Sequence, residues 1–439
     1  MLIDFSVKNY LSIKNEVTLS LVSANHQKNQ DSEIKLIPIE NDKYSLLSVI
    51  GLYGPNASGK SNIIKAFADF KMFIESSHKL DLDESIPAYK PFKLDPKYIL
   101  APILFDIEFL INKIRYVYTV ELTRNKILKE ELHFYPEGRK AKIFIRHQDQ
   151  PIIYGGYFKG EKKSIEKTLL PNTLFLSKAA NSKHDLLVPI YRYFRDNYNL
   201  HVRMDSGATP FHSTTFEMEK ENSEYKDIVI SILNAGDLNI KDIKIDIDKK
   251  MIEHFEKSLA KEAISFPEEF RDMLIHSFTH RVQIGHSVYS DEKETDQLVY
   301  FDLQNEESSG TIKMYDMAGE IIETLRDGTV LFIDEFNSGL HPYLNKFIVN
   351  LFLNPEINKN GAQLIISTHD TCVLDIEEIQ RDQIWFTDKD KYGATELFSL
   401  DEFDKNKVRN NTKFSKWYLD GRFKAIPLID YKKFKLWDN

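Results

Sequence analysis

The chain has 439 residues, of which 42% are hydrophobic, and a net charge of −9. It is long enough for two or three domains, and its charge argues against a protein that coats nucleic acid by charge alone. The one cysteine, Cys372, excludes intramolecular disulfides and a cysteine-based zinc site. Because no apolar run reaches the roughly 18 residues of a membrane helix and no signal peptide is visible, we expect a soluble, cytoplasmic protein without a membrane partner.

The first elements are predicted strands, because residues 2–7 and 17–22 alternate between apolar and polar side chains. Residues 46–50 form an apolar run, a glycine-containing loop follows, and residues 62–67 have the spacing of a helix. The loop fits the P-loop pattern at every fixed position. Its residues are Gly54, Pro55, Asn56, Ala57, Ser58, Gly59, Lys60 and Ser61, followed by Asn62 at the start of the helix.

This strand, loop and helix predict a binding site for the phosphates of a nucleoside triphosphate. The glycines let the backbone wrap so that N–H groups and a helix N-terminus point at the anion. In this pattern Lys60 reaches the β- and γ-phosphates, and the Ser61 hydroxyl binds Mg²⁺. The competing interpretation, a glycine-rich turn with an accidental Lys-Ser, is disfavoured by the flanking elements.

The next segments are rich in predicted strands. Residues 103–109 and 115–122 form a hairpin around Asn112-Lys113, and further strands are expected near residues 142–146 and 174–176. Residues 186–194 and 225–233 then have helical spacing, residues 205–210 are a predicted loop, and residues 243–247 alternate like a strand. Residues 297–303 open a second αβ region. We therefore divide the chain into residues 1–180, a mainly helical insertion 181–295, and residues 296–439.

Two readings remain open for Ser308, Ser309 and Gly310, which precede an apolar helical pattern. Serine, glycine and a helix N-terminus can bind an anion. The same residues can also be an ordinary helix cap.

A second acidic strand follows at residues 329–335, where an apolar run ends in Asp334 and Glu335. This is the Walker B arrangement: Asp334 is delivered to a metal at the strand's C-terminal edge, and Glu335 polarises a water for attack on the γ-phosphate. Residues 363–370 form another buried strand ending in a polar turn, and His369 there can contact the γ-phosphate or the water. The long separation of Lys60 and Asp334 predicts one sheet interrupted by a large insertion.

With these four motifs in this order, the chain resembles the ABC-class ATPases of the SMC/RecF branch. The matching segments are residues 54–61 (Walker A), 307–311 (signature), Asp334-Glu335 (Walker B), 336–341 (D-loop) and His369 (switch histidine). More narrowly, residues 334–342, 308–311, 381–386 and 418–427 resemble compact AAA-type ATPases of bacterial antiphage loci, such as Septu, PARIS and overcoming-lysogenization-defect relatives. The middle, roughly residues 181–295, matches only loosely.

The resemblance implies a fold, a mechanism and partners. The fold is α/β, an ABC-type head with a mixed sheet, a β-rich N-terminal lobe and a helical insertion. ATP and Mg²⁺ are the implied cofactors, with ATP held between Walker A of one copy and Ser308, Ser309 and Gly310 of another, in a homodimer or higher homo-oligomer. A separately encoded effector, a nuclease or toxin, is the implied partner. The signature departs from the usual L-S-G-G-Q, with Ser309 for the first glycine and Thr311 for glutamine, and no Q-loop glutamine is found.

Two other functions remain as alternatives. One is a RecF/SMC-like DNA-repair ATPase, for which nucleic acid would be the partner. The other is a ribonuclease in the insertion, because Arg271 and His276 have the R-x₄-H spacing of HEPN enzymes, with Arg195 and His201 a weaker match. His276, His280 and His286 lack a carboxylate at fixed spacing and are a poor metal cluster. Asp388-Lys389-Asp390 is a predicted hairpin turn rather than a Toprim site.

Overall fold

The computed structural model describes residues 1–24, 36–38, 45–201, 213–220, 223–248, 251–253, 257, 279–404 and 413–427. In these ranges the strands are β1 (Leu2–Lys8), β2 (Val17–Ser20), β3 (Leu36–Pro38), β4 (Ser45–Leu47), β5 (Val49–Tyr53), β6 (Ile103–Ile111), β7 (Ile114–Leu122), β8 (Ile127–Phe134), β9 (Ala141–His147), β10 (Ile153–Tyr154), β11 (Tyr198–His201), β12 (Asp242–Ile247), β13 (His280–Ser290), β14 (Lys293–Asp302), β15 (Val330–Ile333), β16 (Gln363–Ser367), β17 (Ile384–Lys389) and β18 (Thr395–Ser399). The helices are α1 (Lys60–Ser76), α2 (Pro96–Ile99), α3 (Lys163–Lys167), α4 (Phe175–Asn181), α5 (Leu187–Asp196), α6 (Ser213–Lys220), α7 (Ser223–Ala235), α8 (Ser309–Asp327), α9 (Pro342–Leu353) and α10 (Phe414–Leu419).

The chain divides into two compact units, the first of which contains both termini. It consists of Met1–Val202, Gly328–Phe336 and Val349–Asn439, and the second of Arg203–Asp327 and Asn337–Ile348. The domain boundaries that we predict from the sequence, at residues 180/181 and 295/296, remain predictions. No helix in the described ranges is both long and apolar enough to cross a lipid bilayer.

The first unit contains two large sheets and the short antiparallel pair β3-β4. One is mixed and has the strand order β11-β15-β16-β5-β17-β18, in which only the last pair is antiparallel. The strand before the P-loop, β5, is thus separated from the Walker B strand, β15, by the strand that precedes His369, β16. The prediction of one interrupted sheet is confirmed. The other sheet is antiparallel, with the order β10-β9-β8-β7-β6-β1-β2.

Helix α1 joins these two sheets through one hydrophobic core. Its Phe67 ring lies 5.2 Å from Phe5 of β1 and 4.3 Å from Phe332 of β15, and Phe70 stacks on Phe105 of β6 at 4.8 Å. All five side chains are buried. Since burying each such ring stabilises the fold by roughly 1.5–3 kcal/mol, the helix that begins at the P-loop is fixed from both sides.

The second unit has a small antiparallel sheet and helices. Strands β12, β13 and β14 pair in that order, and α8 packs against α6 and α7. Gly319 of α8 permits a close approach to α6, because an added Cβ would lie 2.7 Å from the Thr214 Cα. The segment that we predict to be mainly helical therefore contains strands as well as helices.

Several local predictions are confirmed, and one is wrong. The hairpin around Asn112-Lys113 is formed by β6 and β7, and β17 and β18 form the second predicted hairpin. Its turn lies at residues 390–394, whereas Asp388 and Lys389 belong to β17. Residues 174–176, predicted as a strand, instead open helix α4. The buried carboxylate of Glu130 on β8 accepts hydrogen bonds from the backbone N–H groups of Phe175 (2.7 Å) and Leu176 (3.0 Å). This cap comes from a residue far away in the chain, so no local pattern indicates it. The loop predicted at residues 205–210 lies outside the described residues.

Candidate functional site

The site starts at the P-loop, which connects β5 to α1 at the C-terminal edge of the mixed sheet. Lys60 is the first residue of α1 and is 7% exposed. Its ammonium group donates to the loop's own carbonyl oxygens, those of Gly54 (2.9 Å) and Pro55 (3.1 Å). Asn56 and Ala57 form the exposed tip of the loop. The lysine therefore points across the concave side of the loop, where an anion would meet it.

Two glycines of the loop are required by close contacts and by backbone conformation. Gly54 has φ of 149° and Gly59 has φ of 115°. An added Cβ at Gly54 would lie 2.3 Å from the Thr387 carbonyl oxygen, and one at Gly59 would lie 2.1 Å from Thr395 Oγ1. The predicted cradle is thus formed by the loop together with β17 and β18, which come more than 300 residues later in the chain.

The β17–β18 hairpin also holds the loop through hydroxyl groups. Ser58 Oγ lies 2.5 Å from Thr387 Oγ1, and Thr395 Oγ1 donates to the Ser58 carbonyl oxygen at 2.8 Å. Asn62 donates from Nδ2 to Ser12 Oγ at 2.6 Å, and Ser12 Oγ lies 2.7 Å from Thr395 Oγ1. The side chains of Ser58 and Asn62, both predicted to bind the nucleotide, are therefore engaged with the protein.

The Walker B carboxylate meets the P-loop directly. Ser61 Oγ donates to Asp334 Oδ1 at 3.0 Å, and Ser367 Oγ, at the end of β16, donates to the same oxygen. Ser367 Oγ in turn accepts the backbone N–H of Glu335 at 2.9 Å. Glu335 is exposed and has φ of 51°, a conformation that non-glycine residues rarely adopt and that clusters at functional sites. One buried serine thus fixes both acidic residues of the motif.

The ionisation of Lys60 and His369 follows from their burial and from each other. Burial lowers the pKa of Lys60 to about 8, while the carboxylates of Asp334 and Glu335 oppose the shift. Burial also lowers the pKa of His369, the Lys60 ammonium lowers it further, and Glu335 acts in the opposite direction. A His369 pKa below its ordinary value keeps the imidazole neutral at pH 7, so that it can donate one hydrogen bond and accept another.

The residues present suit a magnesium nucleotide. Mg²⁺ prefers oxygen ligands, usually one or two from protein together with phosphates and water. Ser61 Oγ and Asp334 Oδ1 are such a pair, and they already converge to hydrogen-bonding distance. Because Gly54 and Gly59 carry no Cβ, a phosphate can approach the backbone of this cradle closely.

The three predicted signature residues lie in the second unit, at the start of α8. Ser308 Oγ accepts the Thr311 backbone N–H at 3.1 Å and lies 2.8 Å from Thr311 Oγ1, so Ser308 caps the helix. Lys313 Nζ donates to the carbonyl oxygen of Ser338 in the D-loop at 2.6 Å. Of the two readings that the sequence leaves open, the cap is formed. A role of Ser308, Ser309 and Gly310 in binding an anion remains a prediction.

The structure describes only some of the residues of the alternative sites. Arg271 and His276 lie outside the described residues. Arg195 pairs with its neighbour Asp196 at 2.6 Å on the surface. His280 and His286 contact different carboxylates, Glu219 at 3.0 Å and Glu307 at 2.7 Å, and the described residues contain no cluster of three or more metal-binding side chains.

Sequence reasoning missed the residues that support the site. Ser367, Thr387, Thr395 and Ser12 hold Asp334 or the P-loop, and all come from elements distant in sequence. Only Ser367 carried a usable signal, because it ends the strand two residues before His369. Thr387 and Thr395 lie in a hairpin whose sequence has no pattern typical of a phosphate site.

Comparison with known proteins identifies a family. Residues 49–375 match the family described as "AAA domain, putative AbiEii toxin, Type IV TA system". No curated protein matches. Among solved structures, an SMC head bound to the C-terminal winged-helix domain of ScpA aligns over 91% of this chain and 97% of its own, with 12% identity and a TM-score of 0.44. The SMC head domain from Thermotoga maritima aligns over 91% of this chain and 98% of its own, with 14% identity and a TM-score of 0.36. The Pyrococcus furiosus SMC head with an extended coiled coil aligns over 96% of this chain and 99% of its own, with 11% identity and a TM-score of 0.39. Since the family match covers more than half of the chain, the protein belongs to this family of AAA-domain proteins.

Proposed function

We propose that this protein is an ATP-hydrolysing ABC-class ATPase that dimerises around ATP and controls a separately encoded effector, a nuclease or toxin, in bacterial antiphage defence. The observation that carries the ATPase part is the contact between Ser61 and Asp334 at 3.0 Å, beside the Lys60 side chain. The effector part is supported by the family description, which refers to a toxin and a toxin–antitoxin system.

In this mechanism each residue has a distinct task. Lys60 exchanges the carbonyl oxygens of Gly54 and Pro55 for phosphate oxygens, so its charge offsets that of the β- and γ-phosphates. Ser61 and Asp334 are the residues that would hold Mg²⁺, which when bound neutralises charge on the phosphates. The water oxygen bonds to the γ-phosphorus as the bond to the β–γ bridging oxygen breaks, giving ADP and phosphate.

Glu335 and His369 act on the attacking water. The Glu335 carboxylate stands exposed at the sheet edge, where it can take the water's proton. A neutral His369 can orient the water or the γ-phosphate. The left-handed backbone of Glu335, held by Ser367, fixes the direction in which its side chain leaves the backbone.

The direct test is Glu335→Gln, which keeps the shape and removes the base. We expect ATP turnover to fall by roughly two to four orders of magnitude while ATP binding persists, because general base catalysis contributes that much. Light scattering with Mg²⁺ and ATP should then show a persistent dimer. Glu396→Gln, on the exposed side of β18, is the matched control and should leave turnover unchanged. Unchanged turnover in Glu335→Gln would remove Glu335 from the base role.

The defence role needs its own experiment. Co-expression with the neighbouring gene should reduce phage plaques, and Lys60→Ala should abolish the protection. If DNA ends instead stimulated turnover and no neighbour caused toxicity, the DNA-repair alternative would replace the defence role.

A further inference from the structure

The first unit exposes four large apolar side chains in two neighbouring segments. Leu94, Ile99 and Leu100 lie in or beside α2 and are 67%, 40% and 85% exposed, and Tyr392 in the β17–β18 turn is 65% exposed. The two segments touch, because an added Cβ at Gly393 would lie 2.7 Å from Leu94 Cδ1. We call these four side chains the Leu94 patch. Apolar side chains exposed singly are ordinary, whereas adjacent ones on a monomer mark interaction sites.

The backbone beneath the patch is held firmly in place. Asn9 Nδ2 donates to the carbonyl oxygens of Tyr98 (3.0 Å) and Ala101 (2.9 Å). The Tyr89 hydroxyl donates to those of Ile99 (3.0 Å) and Ala101 (2.9 Å). A surface ordered in advance loses little conformational entropy on binding, so its exposed area contributes more fully to affinity.

The charges around the patch are unbalanced in favour of lysine. Lys93, Lys97 and Lys391 are exposed, and none of them forms an ion pair with another residue that the structure describes. Lys391 Nζ lies over the Tyr392 ring, 4.9 Å from its centroid. The nearby carboxylates are already engaged. Asp95 accepts Lys14 Nζ at 2.8 Å, and Asp390 Oδ1 accepts the backbone N–H groups of Tyr392 and Ala394, each at 2.8 Å. An apolar surface whose basic rim has no ion-pair partner among the described residues complements an apolar segment that carries carboxylates.

The patch is connected to the P-loop by a short series of contacts. Thr395 follows the β17–β18 turn, and its backbone N–H donates to the Ser12 carbonyl oxygen at 2.8 Å. Thr395 Oγ1 donates to the Ser58 carbonyl oxygen at 2.8 Å. A displacement of the turn that carries Tyr392 would therefore reach the phosphate cradle within three residues.

We propose that the Leu94 patch is the docking surface for an acidic amphipathic helix of the effector, and that the β17–β18 turn communicates its occupancy to the P-loop. This inference rests on the proposed function for the existence of an effector. The helix would place apolar side chains on the four patch residues and carboxylates on the lysine rim. A protein partner is favoured because an extended anionic membrane would also face the rest of a chain whose net charge is −9, whereas a single helix meets only the patch.

The test uses the full-length chain and a defined probe. The probe is a fluorescein-labelled peptide of roughly 18 residues, built from leucine at helical a and d spacing and glutamate elsewhere. We expect saturable binding by fluorescence anisotropy that weakens as salt is raised. Replacing every glutamate by lysine should abolish binding. Equal binding of the acidic and basic peptides would overturn the proposal.

Variants of the chain then locate the surface. The double variant Leu94→Glu with Leu100→Glu should weaken peptide binding at least about tenfold, as expected at the centre of an interface. Leu100→Glu alone should also weaken peptide binding, and it carries the least risk to folding. Leu82→Glu, at a residue 58% exposed in the same unit, is the matched control and should bind like wild type. Unchanged binding in the double variant would place the probe elsewhere and overturn the proposal.

The remaining arms separate other occupants and the proposed function. If phosphatidylserine vesicles bound wild type and not the double variant, the patch would be a membrane-binding surface. If the double variant had a lower oligomeric mass than wild type, the patch would be a contact with a second copy. Either result would overturn the proposal. Lys60→Ala should still bind the peptide. If that variant bound the peptide while wild type hydrolysed no ATP, the docking surface would stand and the proposed function would fail.

Discussion

Two helix N-termini in this protein carry serine and glycine, yet their surroundings differ. At the start of α1 the loop is enclosed: Gly59 has no room for a Cβ, since Thr395 Oγ1 would lie 2.1 Å away. At the start of α8 the residues contact mainly their own helix and the D-loop. An added Cβ at Gly310 would lie 3.5 Å from the Gly339 carbonyl oxygen, an ordinary contact distance. Gly59 is required by the protomer's own packing, whereas nothing described in the protomer requires Gly310.

The surrounding groups distinguish the predicted phosphate site at the start of α1 from the start of α8. An N-terminus and a serine supply a dipole and a cap anywhere. The α1 site differs because a distant hairpin and the Walker B strand supply further groups that converge on it. The α8 site lacks such groups within its own described contacts, which fits the proposal that its ligand comes from a second copy.

Alanine substitutions at Gly59 and at Gly310 should differ most strongly in their effects on the two helix starts. Gly59→Ala should lower the free energy of unfolding by roughly 2–3 kcal/mol or more and abolish ATP binding. The added Cβ would collide with Thr395, and alanine is strained in the left-handed backbone conformation of this residue. Gly310→Ala should leave stability unchanged or raise it by up to about 1 kcal/mol, since alanine favours a helix, yet lower ATP turnover.

Thermal unfolding and ATP titration of both variants decide the matter. A Gly310→Ala chain as unstable as Gly59→Ala would show that the signature glycine is required by packing, and the comparison would fail.

Ser367 sharpens the description of the first region, with a smaller effect. Ser367→Ala removes the hydroxyl that donates to Asp334 and accepts the Glu335 N–H. Because one hydrogen bond to a charged group contributes about 1.5–3 kcal/mol, we expect turnover to fall roughly ten- to hundredfold while the ATP dissociation constant changes little. Ser367→Thr keeps the hydroxyl and should recover most of the rate. A loss of stability without this split between binding and turnover would mean that Ser367 serves packing alone.

The sequence was sufficient for the parts of the site that depend on local order. The P-loop, the Walker B strand and the strand before His369 follow from short patterns, and their meeting follows from the rule that ligands bind at the carboxyl ends of parallel strands. The single interrupted sheet follows from the spacing of Lys60 and Asp334.

What the sequence could not predict depends on contacts between distant segments. The helix at Phe175 is capped by Glu130 of β8, and the residues beside Phe175 in the sequence give no indication of that contact. The Ser58 side chain turns away from the predicted ligand because Thr387 lies opposite it. The two compact units likewise depend on which segments pack together, which the composition of the insertion does not reveal.

We propose that a complete site combines Lys60, Asp334 and Glu335 of one copy with Ser308 and Gly310 of another. Mixing two variants, each defective in one half of this site, is the decisive experiment. Glu335→Gln and Ser308→Ala chains should each be nearly inactive alone. An equal mixture should recover roughly a quarter of wild-type turnover, because half of the symmetric dimers are mixed and one of their two sites is then intact. A mixture no more active than its separate components would contradict the shared site.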